Sequence, residues 1–141
     1  MNKLINFFLR GGAAPRVIDR RTHAVLDYIT TSYFLILAAY FWDSNKRAAA
    51  AALINGGAVL GVSMFTDYPG ALVRKIRFET HGKIDMMQAG MAAGLPLLLG
   101  FGTDAAAIPF KMQAIDEVIV VMTTDWEGRE SESVERLRQA S

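Results

Sequence analysis

The chain has 141 residues, a formal net charge of +1 and no cysteine. This length allows a single domain, and the absence of cysteine excludes disulfides, thiolate ligands and the haem-attachment motif. The small net charge, without a basic patch interleaved with aromatic residues, gives no indication of nucleic-acid binding.

The N-terminal segment 1–14 opens with a short apolar run that ends at Arg10 and is followed by Gly11 and Gly12. The run is too short for a secretion signal and lacks a small-residue cleavage site. We therefore predict that this segment is an interfacial helix with a flexible tether, lying on a membrane surface.

Charged residues are concentrated near the termini and in the middle of the chain. Apolar blocks of about 17–20 residues are typical of membrane-spanning helices, whereas helices of soluble domains show apolar stripes. The nearly uncharged blocks predict four spans: 24–42, 48–66, 83–102 and 105–123. The fourth block contains Lys111, Asp116 and Glu117, so its prediction rests on an internal repeat.

Four spans place both termini and the loop 67–82 on the same side of a membrane. Only Lys46, Arg47 and Lys111 fall on the opposite side, which leaves 12 of the 15 Lys and Arg residues with the termini. The positive-inside rule then assigns this side to the cytoplasm. We predict one membrane domain over 1–129 and a cytoplasmic tail over 130–141.

The internal repeat relates 18–71 to 76–129 with an offset of 58 residues. Each copy predicts a helical hairpin, and two hairpins of the same orientation are related by a pseudo-twofold axis along the membrane normal. The predicted fold is therefore an all-α membrane bundle of two tandem hairpins. The repeated polar residues fall in three pairs: His23 and His81, Asp27 and Asp85, Asp67 and Asp125.

These six residues are expected to lie at one depth, near the cytoplasmic surface, and to form one polar cluster on the axis. His and Asp four residues apart share a helix face, so a pair can hold a proton, fix a tautomer or supply two metal ligands. Three hypotheses stay open: a structural contact between hairpins, a proton- or ligand-handling site, and a divalent metal site. We predict no catalytic residue and no other cofactor.

A second polar tier is predicted deeper in the spans. Ionisable groups at membrane depth are costly and face either the bundle interior or a partner. Asp116 and Glu117 align with Ala58 and Val59 of the first repeat, so this carboxylate pair breaks the symmetry. The tier comprises Asn55, Gln88, Gln113, Asp116 and Glu117.

Two Gly-x3-Gly patterns, one in each hairpin, predict where helix backbones approach closely. The first consists of Gly57 and Gly61, and the second of Gly90 and Gly94.

The segments 66–70, Thr-Asp-Tyr-Pro-Gly, and 80–85, Thr-His-Gly-Lys-Ile-Asp, resemble a group of small bacterial inner-membrane proteins often filed with the SPW-repeat family. Such proteins carry a duplicated helical hairpin with a His-x3-Asp start and a Thr-Asp-Tyr end. The resemblance covers most of residues 18–128. It implies the fold and the inner-membrane location, and it implies no activity or substrate.

Together these patterns predict a non-enzymatic integral inner-membrane protein, either an accessory subunit or a self-assembling helical module. Its partners would be the lipid bilayer and either a second copy or another membrane protein. The alternatives are a proton- or cation-handling transporter and a His/Asp metal-binding membrane protein. A carboxylate of Asp116 or Glu117 that faces outward would favour the accessory subunit, and a deep tier that faces an internal cavity would favour transport.

Overall fold

The computed structural model describes residues 14–128, together with Arg136 and Gln139. The predicted interfacial segment 1–14 and tail 130–141 lie almost entirely outside the described residues. The described part of the chain contains four α-helices: α1 (Arg20–Phe41), α2 (Lys46–Phe65), α3 (Phe78–Leu98) and α4 (Ile108–Thr123). A short 3₁₀ helix, Ala105–Ala107, leads into α4. The prediction of an all-helical fold is confirmed for the described residues.

Side-chain caps begin both helices of the first hairpin. The carboxylate of Asp19 accepts a hydrogen bond from the backbone N–H of Thr22 at 2.7 Å. The side chain of Asn45 accepts one from the backbone N–H of Ala48 at 3.0 Å. These bonds satisfy backbone donors that a first helical turn leaves without partners. The bonds from Thr22 also lower the pKa of Asp19 below its usual value.

Two of the helices, α1 with 22 residues and α2 with 20, are long and apolar enough to cross a membrane. Helix α3 begins at Phe78 instead of residue 83, and α4 has 16 residues because 105–107 form the 3₁₀ turn. A span needs about 20 residues, so α4 is short, while α3 has 21 residues but carries Glu79, Lys83 and Asp85 near its start. Length and composition together identify candidate spans only in the first hairpin among the described residues.

Helix α1 packs on α2, and α3 packs on α4. The first pair approaches closely at Gly56, where a Cβ would lie 3.0 Å from the Cβ of Phe34. The four glycines of the Gly-x3-Gly patterns do not make such contacts, because a Cβ on any of them would meet nothing within 4 Å. The prediction that they bring the chain's own helices together is therefore wrong. A shift of one residue turns the side chain by about 100° around the helix, which moves Gly57 off the packed face.

The two hairpins are joined by equivalent backbone contacts. Ile18 pairs with Thr124, and Ile76, which is 58 residues further on, pairs with Thr66. In each case the next backbone N–H strengthens the contact, since Asp125 donates to the carbonyl of Ile18 and Asp67 to that of Ile76, both at 2.8 Å. The segment before α1 thus pairs with the end of α4, and the segment before α3 pairs with the end of α2.

The buried apolar residues form two clusters. One contains small residues and three phenylalanines: Phe34, Ala38, Ala48, Ala51, Ala52, Leu95, Phe101, Ala107 and Phe110. The other contains Ala24, Tyr68, Phe78, Val121 and Trp126. The aromatic rings of the second cluster contact both histidines, so this cluster surrounds the candidate site.

Candidate functional site

Four of the repeated polar residues, His23, Asp27, His81 and Asp85, form one buried cluster, which we call the His/Asp tetrad. Both histidines are 1% exposed, and the two aspartates are 7% and 2% exposed. The two Nε2 atoms lie 3.2 Å apart. The Nε2 atom of His23 lies 3.1 Å from the carboxylate of Asp85, and that of His81 lies 3.0 Å from Asp27. Each imidazole therefore reaches the carboxylate of the other hairpin.

Two threonines hold the opposite edges of the imidazole rings. The hydroxyl of Thr66 lies 2.7 Å from Nδ1 of His81, and that of Thr124 lies 3.0 Å from Nδ1 of His23. Each hydroxyl donates its hydrogen to the backbone carbonyl four residues earlier, at 2.7 and 2.6 Å. Because a hydroxyl has one hydrogen to donate, each threonine accepts from Nδ1–H. The neutral rings therefore carry their free lone pairs at Nε2.

Aromatic side chains enclose the tetrad. The ring of Trp126 lies 4.9 Å from that of His23 and 4.6 Å from that of Phe78, measured between centroids. Phe78 also meets His23 edge-on at 5.5 Å, and Tyr68 lies 5.3 Å from His81. All three aromatic residues are at most 3% exposed. The tetrad consequently lies in a medium of low polarity, where unbalanced charge is costly.

The two carboxylates of the tetrad differ in their remaining partners. Asp27 also accepts hydrogen bonds from the hydroxyls of Tyr68, at 2.8 Å, and Ser63, at 3.3 Å. Burial and the Asp27 carboxylate raise the pKa of the Tyr68 phenol above its usual value, so this group remains a donor. The repeat equivalents of these two donors are Trp126 and Val121, neither of which can donate a hydroxyl to Asp85. The first hairpin therefore holds its carboxylate more firmly.

The remaining pair of repeated aspartates does not enter the tetrad. The side chain of Asp67 is 47% exposed and forms ion pairs with Arg20 at 3.8 Å and Arg74 at 3.7 Å. Asp125 is buried, and its carboxylate accepts a hydrogen bond from the backbone N–H of Glu127 at 3.3 Å. Both residues follow the last turn of their helix, α2 or α4; the side chain of Asp67 is half exposed there, whereas Asp125 is buried.

The deep polar tier is divided between the interior and the outer surface. Asn55 and Gln88 are buried, at 1% and 6% exposure. Gln113 donates a hydrogen bond to Glu117, and both are half-buried, whereas Asp116 is exposed. Within the described residues, neither polar atom of the Asn55 amide has a hydrogen-bond partner. The two neighbouring carboxylates of α4 therefore face different surroundings.

The helical rise places these groups at two depths. At 1.5 Å per residue, Glu117 lies about 10 Å from the nearer end of its helix, as do Asp27 and Asp85. Glu117 is within electrostatic range of both carboxylates. A layer about 5 Å deeper receives one polar residue from each helix: Thr31, Asn55, Gln88 and Gln113.

Sequence reasoning missed the residues that orient the tetrad. Thr66 and Thr124 stand 58 residues apart like the histidines, so the repeat itself contained this signal. Tyr68 and Ser63 had no such signal, since neither recurs in the second hairpin. Their role is visible only in the folded chain, where α2 and the turn after it contact α1 and bring both hydroxyls to Asp27.

The tetrad contains groups that could hold a metal ion. Donor atoms of His23, Asp27 and His81 all lie within 4.8 Å of one another, and all three residues are buried. Asp85 lies 3.1 and 3.2 Å from the two imidazoles and adds a second carboxylate. Imidazole nitrogen and carboxylate oxygen are common ligands of divalent transition metals.

No family model, curated protein or solved structure matches this chain. The resemblance to SPW-repeat proteins therefore stays a prediction.

Proposed function

We propose that the chain is a non-enzymatic integral protein of a bacterial inner membrane, acting as an accessory subunit or self-assembling helical module. In this proposal all four helices cross the membrane, and both termini are cytoplasmic. The two hairpins are related by a pseudo-twofold axis along the membrane normal that passes through the tetrad. The equivalent contacts of the tetrad and of the backbone bridges support this arrangement.

The exposure of Asp116 carries the proposal. Its helix presents apolar side chains on the same outer surface, with Met112, Ile115 and Ile119 each more than half exposed. Asp116 lies near the middle of α4, roughly 12 Å from its first residue. An aspartate facing lipid at the centre of a span is unfavourable by about 2.5–3.5 kcal/mol on insertion scales. Contact with a polar group of another membrane chain removes this penalty.

The unpacked glycines are consistent with the same role. Gly57 and Gly61 on α2, and Gly90 and Gly94 on α3, have open space where a Cβ would stand. Small-residue patterns of this kind allow helices of different chains to approach closely in a membrane. Each hairpin thus offers an open helix surface for a second copy or another membrane protein.

The membrane topology can be tested with introduced cysteines, since the chain contains none. Ser44→Cys lies in the connection between α1 and α2, and Leu72→Cys lies in the loop between α2 and α3; both positions are exposed. We expect a membrane-impermeant maleimide to label residue 44 on intact spheroplasts, and residue 72 only after permeabilisation. Recovery of the protein in the soluble fraction would contradict the proposal.

Assembly can be tested by extraction in a mild detergent, followed by size-exclusion chromatography with light scattering and mass spectrometry. We expect the wild-type chain to elute as an oligomer or with another membrane protein, and Asp116→Asn to lose most of this association. Asp104→Asn is the matched control, because Asp104 is exposed in the turn before the 3₁₀ helix. A monomeric wild-type chain without a membrane partner would contradict an accessory or self-assembling role.

A second candidate, proton or cation transport, is favoured by the half-buried location of Glu117 and by the Asn55 amide, which has no hydrogen-bond partner among the described residues. Buried polar groups without protein partners commonly bind water, and a hydrated layer beside the tetrad would provide a path toward mid-membrane. Flux in proteoliposomes tests it directly. Glu117→Gln should reduce flux if transport occurs, and a rate equal to wild type would exclude a role for this carboxylate.

A further inference from the structure

The geometry of the tetrad directs two nitrogen lone pairs at one another. Thr66 and Thr124 hold hydrogens at the Nδ1 atoms of His81 and His23, which leaves each neutral ring with its lone pair at Nε2. These two Nε2 atoms are 3.2 Å apart. A second group that holds one ring nitrogen, and so fixes the tautomer, is what metal-binding histidines commonly have.

Two carboxylates lie beside these lone pairs. Distances from the Nε2 atoms to oxygens of Asp27 and Asp85 are 3.6 and 3.1 Å for His23, and 3.0 and 3.2 Å for His81. Four acceptor groups at this spacing repel one another unless hydrogens on Nε2 or a metal ion lie between them. The distances that involve the Nε2 atoms agree with a metal centre, because tetrahedral bonds of about 2.0–2.1 Å separate neighbouring ligand atoms by roughly 3.3 Å.

The net charge of the tetrad indicates which ion would fit. Two aspartates contribute two negative charges, so a divalent cation makes the buried centre neutral overall. Neutrality matters because aromatic residues surround the site, and isolated charge in such a medium is unfavourable. Donors outside the four ligands complete the arrangement: Tyr68 and Ser63 hold Asp27, as the threonines hold the imidazoles.

We propose that His23, Asp27, His81 and Asp85 form a closed four-ligand site for a divalent transition metal ion of the zinc class. Each hairpin supplies one histidine and one aspartate, so the ion ties the hairpins together. Four protein ligands and an aromatic enclosure fit a structural ion, since catalytic centres keep an open position. This site does not depend on membrane assembly, and either proposal can hold without the other.

The first test uses the full-length wild-type protein in detergent, stripped of metal with a chelator and titrated with Co²⁺ and then Zn²⁺. We expect one ion per chain, a rise in Tm, and the intense visible absorption of tetrahedral Co²⁺, which Zn²⁺ abolishes. The weak spectrum of octahedral Co²⁺, or no uptake, would overturn the proposal. This measurement does not require that any variant fold.

The second test compares variants of the two repeated aspartate pairs. Asp85→Asn keeps the shape of a ligand and removes its charge, and we expect it to abolish both the Tm rise and the tetrahedral spectrum. Asp67→Asn is the matched control, because Asp67 has the same kind of repeat partner but forms surface ion pairs with Arg20 and Arg74. Unchanged binding by Asp85→Asn, or an equal loss in Asp67→Asn, would show that the ion binds elsewhere.

The role of the threonines is tested by affinity. Thr124→Val removes the acceptor for Nδ1–H of His23, and loss of such an outer contact typically weakens metal binding by about 10- to 100-fold. Thr124→Ser retains the hydroxyl and should restore binding. Zn²⁺ affinity, measured by competition with a chromophoric chelator, separates the three proteins. Equal affinity for Thr124→Val and wild type would mean that Thr124 does not position the ligand.

Discussion

The two hairpins share the tetrad but surround it differently. Each contributes one histidine and one aspartate, and each histidine is held by a threonine of the other hairpin. The first hairpin adds Tyr68 and Ser63 against Asp27, whereas the second has Glu117 at the depth of Asp85.

The first helix of each hairpin also differs in its N-terminal cap, and again the first hairpin has the additional hydrogen bond. Asp19 caps α1 through its side chain, whereas Arg77, its equivalent before α3, makes no side-chain cap. The residues that meet at the centre are therefore matched between the two hairpins, whereas the residues around them differ. The first hairpin provides the better-satisfied half of the site. The second carries carboxylates that face both the interior and the outer surface.

The largest expected effect comes from removing an imidazole. His23→Ala and His81→Ala each leave buried carboxylates without their partner, and we expect either to lower the free energy of unfolding by about 3–5 kcal/mol. Denaturant unfolding in detergent, followed by circular dichroism, measures this loss. Similar values would support an equal share of the two hairpins in the tetrad, and a loss below about 1 kcal/mol in either would contradict it.

The asymmetry between the carboxylates predicts the next largest effect. Tyr68→Phe removes a buried donor to Asp27, and a hydrogen bond to a charged group contributes about 1.5–3 kcal/mol. Tyr28→Phe is the control, because the Tyr28 hydroxyl donates to the backbone carbonyl of Gly70 near the surface. The same unfolding assay should show the larger loss for Tyr68→Phe. Equal losses of unfolding free energy would mean that the hydrogen bond to Asp27 contributes no more to stability than the one near the surface.

Two adjacent glycines of α2 allow the helix packing of the first hairpin to be tested with one variant and a matched control. Gly56→Ala brings a Cβ to 3.0 Å from that of Phe34, and overpacking of this kind typically destabilises by about 1–3 kcal/mol. Gly57→Ala meets open space and should leave the unfolding of the isolated chain unchanged or slightly improved. Thermal unfolding of both variants in detergent tests which side of α2 is packed. A greater loss for Gly57→Ala would reverse the assignment.

The smallest effect concerns the helix cap that only the first hairpin has. Asp19→Ala should cost about 1 kcal/mol at neutral pH, because the first turn of α1 loses its acceptor. Folding lowers the pKa of Asp19, so the contribution is present above the usual value of 3.8 and is lost as pH falls through the lower value of the folded chain. The unfolding free energies of variant and wild type should therefore converge in acid. Arg77→Ala should show no such pH-dependent difference.

Helices, the repeat and the pairs of equivalent residues could all be predicted from the amino-acid sequence. These features follow from local patterns, because apolar blocks predict helices and a constant offset pairs His23 with His81 and Asp27 with Asp85. The threonines at 66 and 124 were paired by the same offset, although their contact with Nδ1 is not a property of spacing.

Which side of each helix is packed, and which polar groups meet, depends on how the helices are arranged in three dimensions. Asp67 and Asp85 are equally regular in the repeat, yet Asp67 pairs with surface arginines and Asp85 with both imidazoles. Adjacent residues on a helix point about 100° apart, so Gly56 touches Phe34 while Gly57 is open, and Glu117 turns inward while Asp116 is exposed. Local sequence does not specify the angle at which two helices pack. This angle decides which of two adjacent residues faces the neighbouring helix.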